Sequence, residues 1–176
     1  NGTEAKVIQE VLNKISIEKR NQVKEVSMDM ARNMGLAVQN SFPNSSMVID
    51  RFHVVRLVMD AMQHVRVGFR WEAIKQENLA IKQAKENKEK YYPQVLANGD
   101  TLKELLARSR YLLFSIEDDW TINQAKRAAI LFEKYPLLHE AYKRTLEFRA
   151  IYKNTFKSQA LIQFNQKKKK VEKSTI

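Results

Sequence analysis

The chain has 176 residues, 44% of them hydrophobic, with 31 basic against 20 acidic side chains and a formal net charge of +11. That is enough apolar material for one packed domain, or part of one with an appendage, and it excludes wholesale disorder. The absence of cysteine removes disulfides, thiolate zinc sites and thiol catalysis; no apolar run approaches the roughly 20 residues of a membrane span, and no signal-peptide pattern opens the sequence, so a cytoplasmic protein with no membrane role is expected.

Only 4 glycines and 3 prolines occur, which favours long helices over a turn-rich β fold. Glu4–Ile15 carries Val7, Ile8, Val11, Leu12 and Ile15 at amphipathic helical spacing, with Thr3 as its expected N-cap. Ser16–Gln22 is polar and reads as a connector. Val23–Asp29 alternates and suits a short strand, Met30–Ser41 reads as a helix, and Phe42-Pro43-Asn44-Ser45 breaks it. Met47-Val48-Ile49 is continuously apolar, the pattern of a strand covered on both faces. Strand, helix and strand in this order predict a parallel, right-handed βαβ unit.

From Arg51 the pattern changes. Phe52, Val55, Val58, Met59, Met62, Val65, Phe69 and Ala73 recur at helical spacing and predict a long helix running to about Tyr91. Asn98-Gly99-Asp100 reads as a turn, and Thr101 with Glu104 and Thr121 with Gln124 have capping-box form. Pro136 suits a helix first turn, Leu137–Lys153 and Phe156–Phe164 predict further helices, and Lys167–Lys170 is a charge run expected to fray. The expected fold is therefore mostly α with a small α/β part: 1–54 a partial α/β core, 55–166 a helical region, 167–176 a basic tail. A lone strand pair cannot make a stable sheet, so either further strands from a longer protein complete it or these two segments are not strands.

Two predicted strands end in aspartate, Asp29 and Asp50. Carboxylates at the C-terminal ends of strands in an open α/β sheet sit where ligands bind, and Mg²⁺ is held by one or two carboxylates plus substrate phosphates. The competing reading makes each aspartate a helix cap. Asp50 and His53 are three residues apart and share a face if the turn is helical, where they could contact a phosphate, bind metal or clamp each other. Phe52 is expected in the core. His64 and His139 lack partner patterns, and no glycine-rich phosphate loop occurs. Arg51, Arg56, Arg66 and Arg70 dot the long helix and are the DNA-contact candidates, a solvated helix face being the alternative; the basic charge favours nucleic acid as partner. Trp120, Tyr111, Phe114 and Phe132 are expected in the core rather than as base-stacking platforms.

The run VKEVSMDMARNMGLAVQNSFPNSSMVIDRFHVVRLVMDAMQHVR resembles the central part of bacterial insertion-sequence transposases with an RNase H-like, DDE-type core. The likeness rests on the DRFHV segment after the FPNSSMVID phrase, then LLARSRYLLF, W-T-x-x-Q and LFEKYPLLHEAY, and covers about residues 7–160. It implies an RNase H-like sheet interrupted by a helical insertion, with three carboxylates holding two divalent ions, Mg²⁺ or Mn²⁺, for DNA cleavage and joining in transposition. The resemblance puts Asp29 at the second catalytic carboxylate and as metal ligand, and Asp50 and His53 on a supporting D-x-x-H element. The partner implied is DNA at insertion-sequence ends, with no small-molecule substrate; a homo-oligomer is expected from the incomplete sheet. Residues 1–22 contain no aspartate and no TN-x-x-E-x-x-N phrase follows the helical region; Glu172, in a lysine-rich tract, is a poor substitute for its glutamate. The expectation is a central fragment, inactive alone. The alternatives are a non-catalytic helical module for DNA binding or oligomerisation, and an RNase H-like nuclease of another kind.

Overall fold

The computed structural model describes residues 4–172. The chain forms two compact units, Asn1–Leu57 and Val58–Ile176, divided within one long helix and three residues beyond the boundary expected from the sequence. It is mostly α with a small α/β part, as the sequence predicts.

The first unit holds α1 (Ala5–Leu12), α2 (Ile17–Asn21), β1 (Glu25–Met28), α3 (Arg32–Ser41), β2 (Ser46–Ile49) and the first turns of α4 (Arg51–Glu86). Helix α1 packs on α3. The expected Thr3 cap lies outside the described residues. The predicted connector Ser16–Gln22 instead folds as α2, because Arg20 ties it down: its Nε donates to the Ile15 carbonyl at 3.0 Å and its NH1 to the Ser41 carbonyl at 2.8 Å. Strands β1 and β2 pair in parallel, Glu25 opposite Ser46 through Met28 opposite Ile49, with α3 as the crossover packed on both. The expectation that β2 is covered on both faces is wrong here. Met47, Val48 and Ile49 are 48%, 42% and 42% exposed, because the sheet of the described residues has two strands and α3 as the helix against it. Phe52, expected in the core, is 63% exposed for the same reason: it follows the edge of a sheet too small to cover it.

The second unit holds the rest of α4, then α5 (Leu102–Arg108), 3₁₀ turns at Leu112–Phe114 and Glu117–Asp119, α6 (Ile122–Lys134), α7 (Pro136–Lys153) and α8 (Lys157–Glu172). Helix α4 stops before the predicted Tyr91. Lys88 adopts φ +57°, and the Glu89 amide reaches back to the Ala84 carbonyl at 2.8 Å, which satisfies the helix end as a left-handed cap does. Both predicted capping boxes form: Glu104 accepts from the Thr101 amide at 2.9 Å, and Gln124 from the Thr121 amide at 2.9 Å. The Lys167 ammonium pairs with Glu147 of α7, and α8 continues through the lysine run, so that run is helical rather than frayed; residues 173–176 of the expected tail lie outside the described ones.

The core of this unit is built from Met59, Met62 and Ala73 of α4, Leu105 and Leu106 of α5, Leu112, Leu113, Leu131, Leu138 and Tyr142. Tyr142 stacks near Trp120 and Phe132 with ring centres 5.7 and 5.3 Å away, and its hydroxyl donates to the Ser115 carbonyl at 2.9 Å. Burial pushes its phenol up to about 12, so it stays a neutral donor. Trp120 and Phe132 thus join the core cluster as predicted. Tyr111 does not: it is 71% exposed, at the surface end of the segment after α5.

Asp100 anchors the turn ahead of α5. Its buried carboxylate binds the Arg108 guanidinium and accepts from Arg127 Nε of α6 at 2.9 Å and from Asn98 Nδ2 at 2.8 Å. Burial pushes the carboxyl up, but the hydrogen bonds and charges of Arg127 and Arg108 outweigh it and hold Asp100 below its ordinary value. A depressed carboxylate contributes stability above its unfolded pKa of about 4 and loses it as the pH falls through the folded value.

Asp100→Asn should therefore destabilise the chain at neutral pH by about 2 kcal/mol, less than for a fully enclosed pair because Arg108 stays half-exposed. The difference from wild type should shrink as the pH falls below about 4; urea denaturation followed by circular dichroism at several pH values measures both. Tyr142→Phe should cost about 1–2 kcal/mol in the same assay, since the Ser115 carbonyl loses its donor.

Candidate functional site

The register of the strand pair decides where the two aspartates lie. Met28 and Ile49 are partners, and the Asp50 amide extends the ladder by donating to the Met28 carbonyl at 2.8 Å. Asp29 and Asp50 therefore follow at the C-terminal ends of neighbouring parallel strands, which lie about 4.8 Å apart. The topology brings to neighbouring strand ends two aspartates that are 21 residues apart in the chain.

Their local roles differ. Asp50 Oδ1 accepts from the Phe52 amide at 2.9 Å, and its carbonyl receives the His53 amide at 3.1 Å, so Asp50 caps α4. Asp29 Oδ1 accepts from the Ala31 amide at 2.8 Å. Ala31 is itself the N-cap of α3, which carries no side-chain cap, so the Asp29 carboxylate shapes the turn before that helix rather than capping its first turn. Each aspartate keeps its Oδ2 without a hydrogen-bond partner among the described residues. Asp29 is half-buried and Asp50 exposed.

The clamp between Asp50 and His53, the simplest reading of their spacing, does not form. His53 is half-buried and its ring meets the Phe52 ring edge-on, 5.5 Å between centres, with no hydrogen bond from the imidazole to the Asp50 carboxylate among the described residues. Sharing a helix face does not suffice when the carboxylate turns back to the Phe52 amide.

Among the described residues, no group of three histidine, cysteine or acidic side chains could hold a metal ion. Asp29 with Asp50 is a pair, both oxygen donors. That donor set fits a hard divalent cation that keeps waters and takes its remaining ligands from a phosphate, and it falls short of a three-carboxylate cage.

The arginines separate by environment. Arg51 and Arg56 are exposed on the first turns of α4. Arg66 is 6% exposed: its Nε donates to Gln63 Oε1 at 2.6 Å and its NH1 to the Leu106 carbonyl at 2.8 Å, so it binds α4 to α5 instead of lying on a solvated face. Arg70 is half-buried one turn further on. Arg110, which sequence reasoning did not single out, belongs with these two, because the Gln63 side chain donates to its carbonyl at 3.2 Å. Its distance of 44 residues from Arg66 hid the association; only the packing of α5 on α4 reveals it. His64 is exposed, and His139 stacks on Phe132 with 4.2 Å between ring centres, a packing role.

No curated protein and no solved structure matches the chain. A family model described as transposase, of the ISL3 type of DDE transposases, matches residues 1–176. With that match spanning every residue, the chain belongs to this transposase family.

Proposed function

We propose that Asp29 is an active-site carboxylate of a DDE-type DNA transposase, one that cleaves and joins DNA ends, and that this polypeptide is a central piece of the working enzyme. The observation that carries the reading is the setting of Asp29: a strand end, next in the sheet to a second strand-end aspartate, with one oxygen fixed by a backbone amide and the other without a hydrogen-bond partner among the described residues. Helix capping accounts for Asp50 but not for Asp29, which weighs against a purely structural role for both. The exposed apolar residues of β2 support a sheet that gains strands, and with them further carboxylates, in the complete RNase H-like core. The same faces favour self-association of the isolated chain.

In this reading Asp29 would hold Mg²⁺ or Mn²⁺, with Asp50 in a supporting place on the neighbouring strand end. When bound, the ion supplies charge stabilisation at the scissile phosphate and activation of water or a DNA 3′-hydroxyl. Asp29 offers its Oδ2 to that site, while the Ala31 amide keeps its other oxygen from swinging away. Asp50 sets the start of α4, and with it the positions of Arg51 and Arg56, exposed residues of a type suited to DNA phosphates. His53 supports the same turn through its contact with Phe52.

In the complete transposase, Asp29→Asn should lower strand transfer by on the order of 10³-fold with DNA binding retained, as for the loss of an essential metal ligand. The present chain alone should give no joined product with Mg²⁺ or Mn²⁺; cleavage by it that Asp29→Ala abolishes would sink that part of the reading. Stability separates the two aspartates independently of activity. Asp50→Ala should cost about 1 kcal/mol through the lost cap, and Asp29→Ala about 0.5 kcal/mol or less, by urea denaturation. Equal costs would favour the non-catalytic helical module.

A further inference from the structure

Three arginines lie where α4 meets α5 and the segment after it. Arg66 and Arg70 lie four residues apart on α4, hence on one face. The bond from Gln63 to the Arg110 carbonyl, 3.2 Å, and that from Arg66 to the Leu106 carbonyl, 2.8 Å, bring the Arg110 backbone to the same place. The partners of Arg66 are an amide oxygen and a carbonyl, both neutral. Among the described residues no carboxylate pairs with Arg66, Arg70 or Arg110. Arg70 Nε is buried and has no hydrogen-bond partner among the described residues. Burial first, then the nearby Arg110 and Arg70, press the Arg66 pKa below the usual arginine value, which agrees with the three groups standing within electrostatic reach.

This arrangement is costly as it stands. A buried charge is normally matched by an opposite one, and within the same unit Asp100 is matched by two arginines. Here one cation is buried against neutral acceptors, two more stand beside it, and one N–H has nothing to bond. An oxyanion would compensate the charge and could accept from the orphaned Nε. Guanidinium forks suit phosphate oxygens, which take two parallel N–H donors. Arg110 is exposed and leaves the cluster open to solvent, and its guanidinium lies over the ring of Tyr111, 5.5 Å from the centre. Tyr111 is 71% exposed and offers a flat apolar surface beside the charge, a combination that suits a nucleotide better than a bare ion.

We infer that Arg66, Arg70 and Arg110 form a binding site for a phosphate group in the helical unit, with a backbone phosphate of DNA as its occupant. The site does not depend on the role of Asp29: it would bind DNA in a chain that cleaves nothing.

The test leaves Arg66 in place, since it also holds α4 to α5. The full chain, Arg70→Gln/Arg110→Gln and a control, Lys126→Gln/Lys134→Gln, which removes as much charge from exposed positions on α6, are titrated with a fluorescent DNA duplex between about 50 and 200 mM salt. The arginine variant should bind about 10-fold or more weaker at low salt, with the slope of log affinity against log salt reduced by about 2, and the control should stay within about 3-fold of wild type. In a second arm, inorganic phosphate is compared with chloride at equal ionic strength for its effect on the melting temperature. Phosphate-specific stabilisation lost in the arginine variant, with DNA affinity unchanged, would keep the phosphate site and replace DNA with free phosphate as its occupant. No change in either arm would overturn the site. Should the double variant fail to fold by circular dichroism, Arg110→Gln alone, at an exposed position, decides with an expected slope change of about 1.

Discussion

The parallel pairing of β1 and β2 is the constraint on which the candidate site depends. Two parallel strands cannot be joined by a tight turn, so a crossover is required, and α3 with its flanking turns supplies it. Because the strands run the same way, their C-terminal ends fall at one edge. Asp29 and Asp50 are placed side by side by that geometry alone. An antiparallel pairing of the same two segments would have put them at opposite ends. The pair is also incomplete as a sheet. Two four-residue strands with one packed helix leave the apolar side chains of β2 half in water, which a finished core would not tolerate.

The helical unit treats buried charge in two ways. Asp100 is enclosed and fully answered, by Arg108, Arg127 and Asn98, so the turn between α4 and α5 is pinned to α6. Arg66 is enclosed and answered only by dipoles, with Arg70 and Arg110 alongside. The first arrangement is complete within the chain and reads as architecture. Among the described residues no anion answers the second, which is why we infer an outside partner, a phosphate group, for it.

Much of the fold was legible because it rests on local signals. The spacing of Val58, Met59, Met62 and Val65 gave α4, the two capping boxes gave the starts of α5 and α6, and Pro136 gave that of α7. What misled were inferences from residue type to surroundings. Met47–Ile49 looked doubly covered, and Phe52 and Tyr111 looked like core, because apolar character says what a side chain prefers and not whether an element exists to cover it. The polar stretch 16–22 looked like a connector because its helix depends on Arg20 reaching the carbonyl of Ser41, 21 residues away.

The order strand, helix, strand, the aspartates after both strands and the family likeness of the DRFHV segment were determined by the sequence itself, since each depends on neighbours in the chain. Tertiary structure alone decided that Asp50 caps a helix while Asp29 does not, that His53 turns to Phe52 rather than to Asp50, and that Arg66 is buried. It alone joined Arg110 to Arg66 and Arg70. Hydrogen-bond choice and burial are settled by competition among groups far apart in sequence, and that competition exists only once the helices have packed.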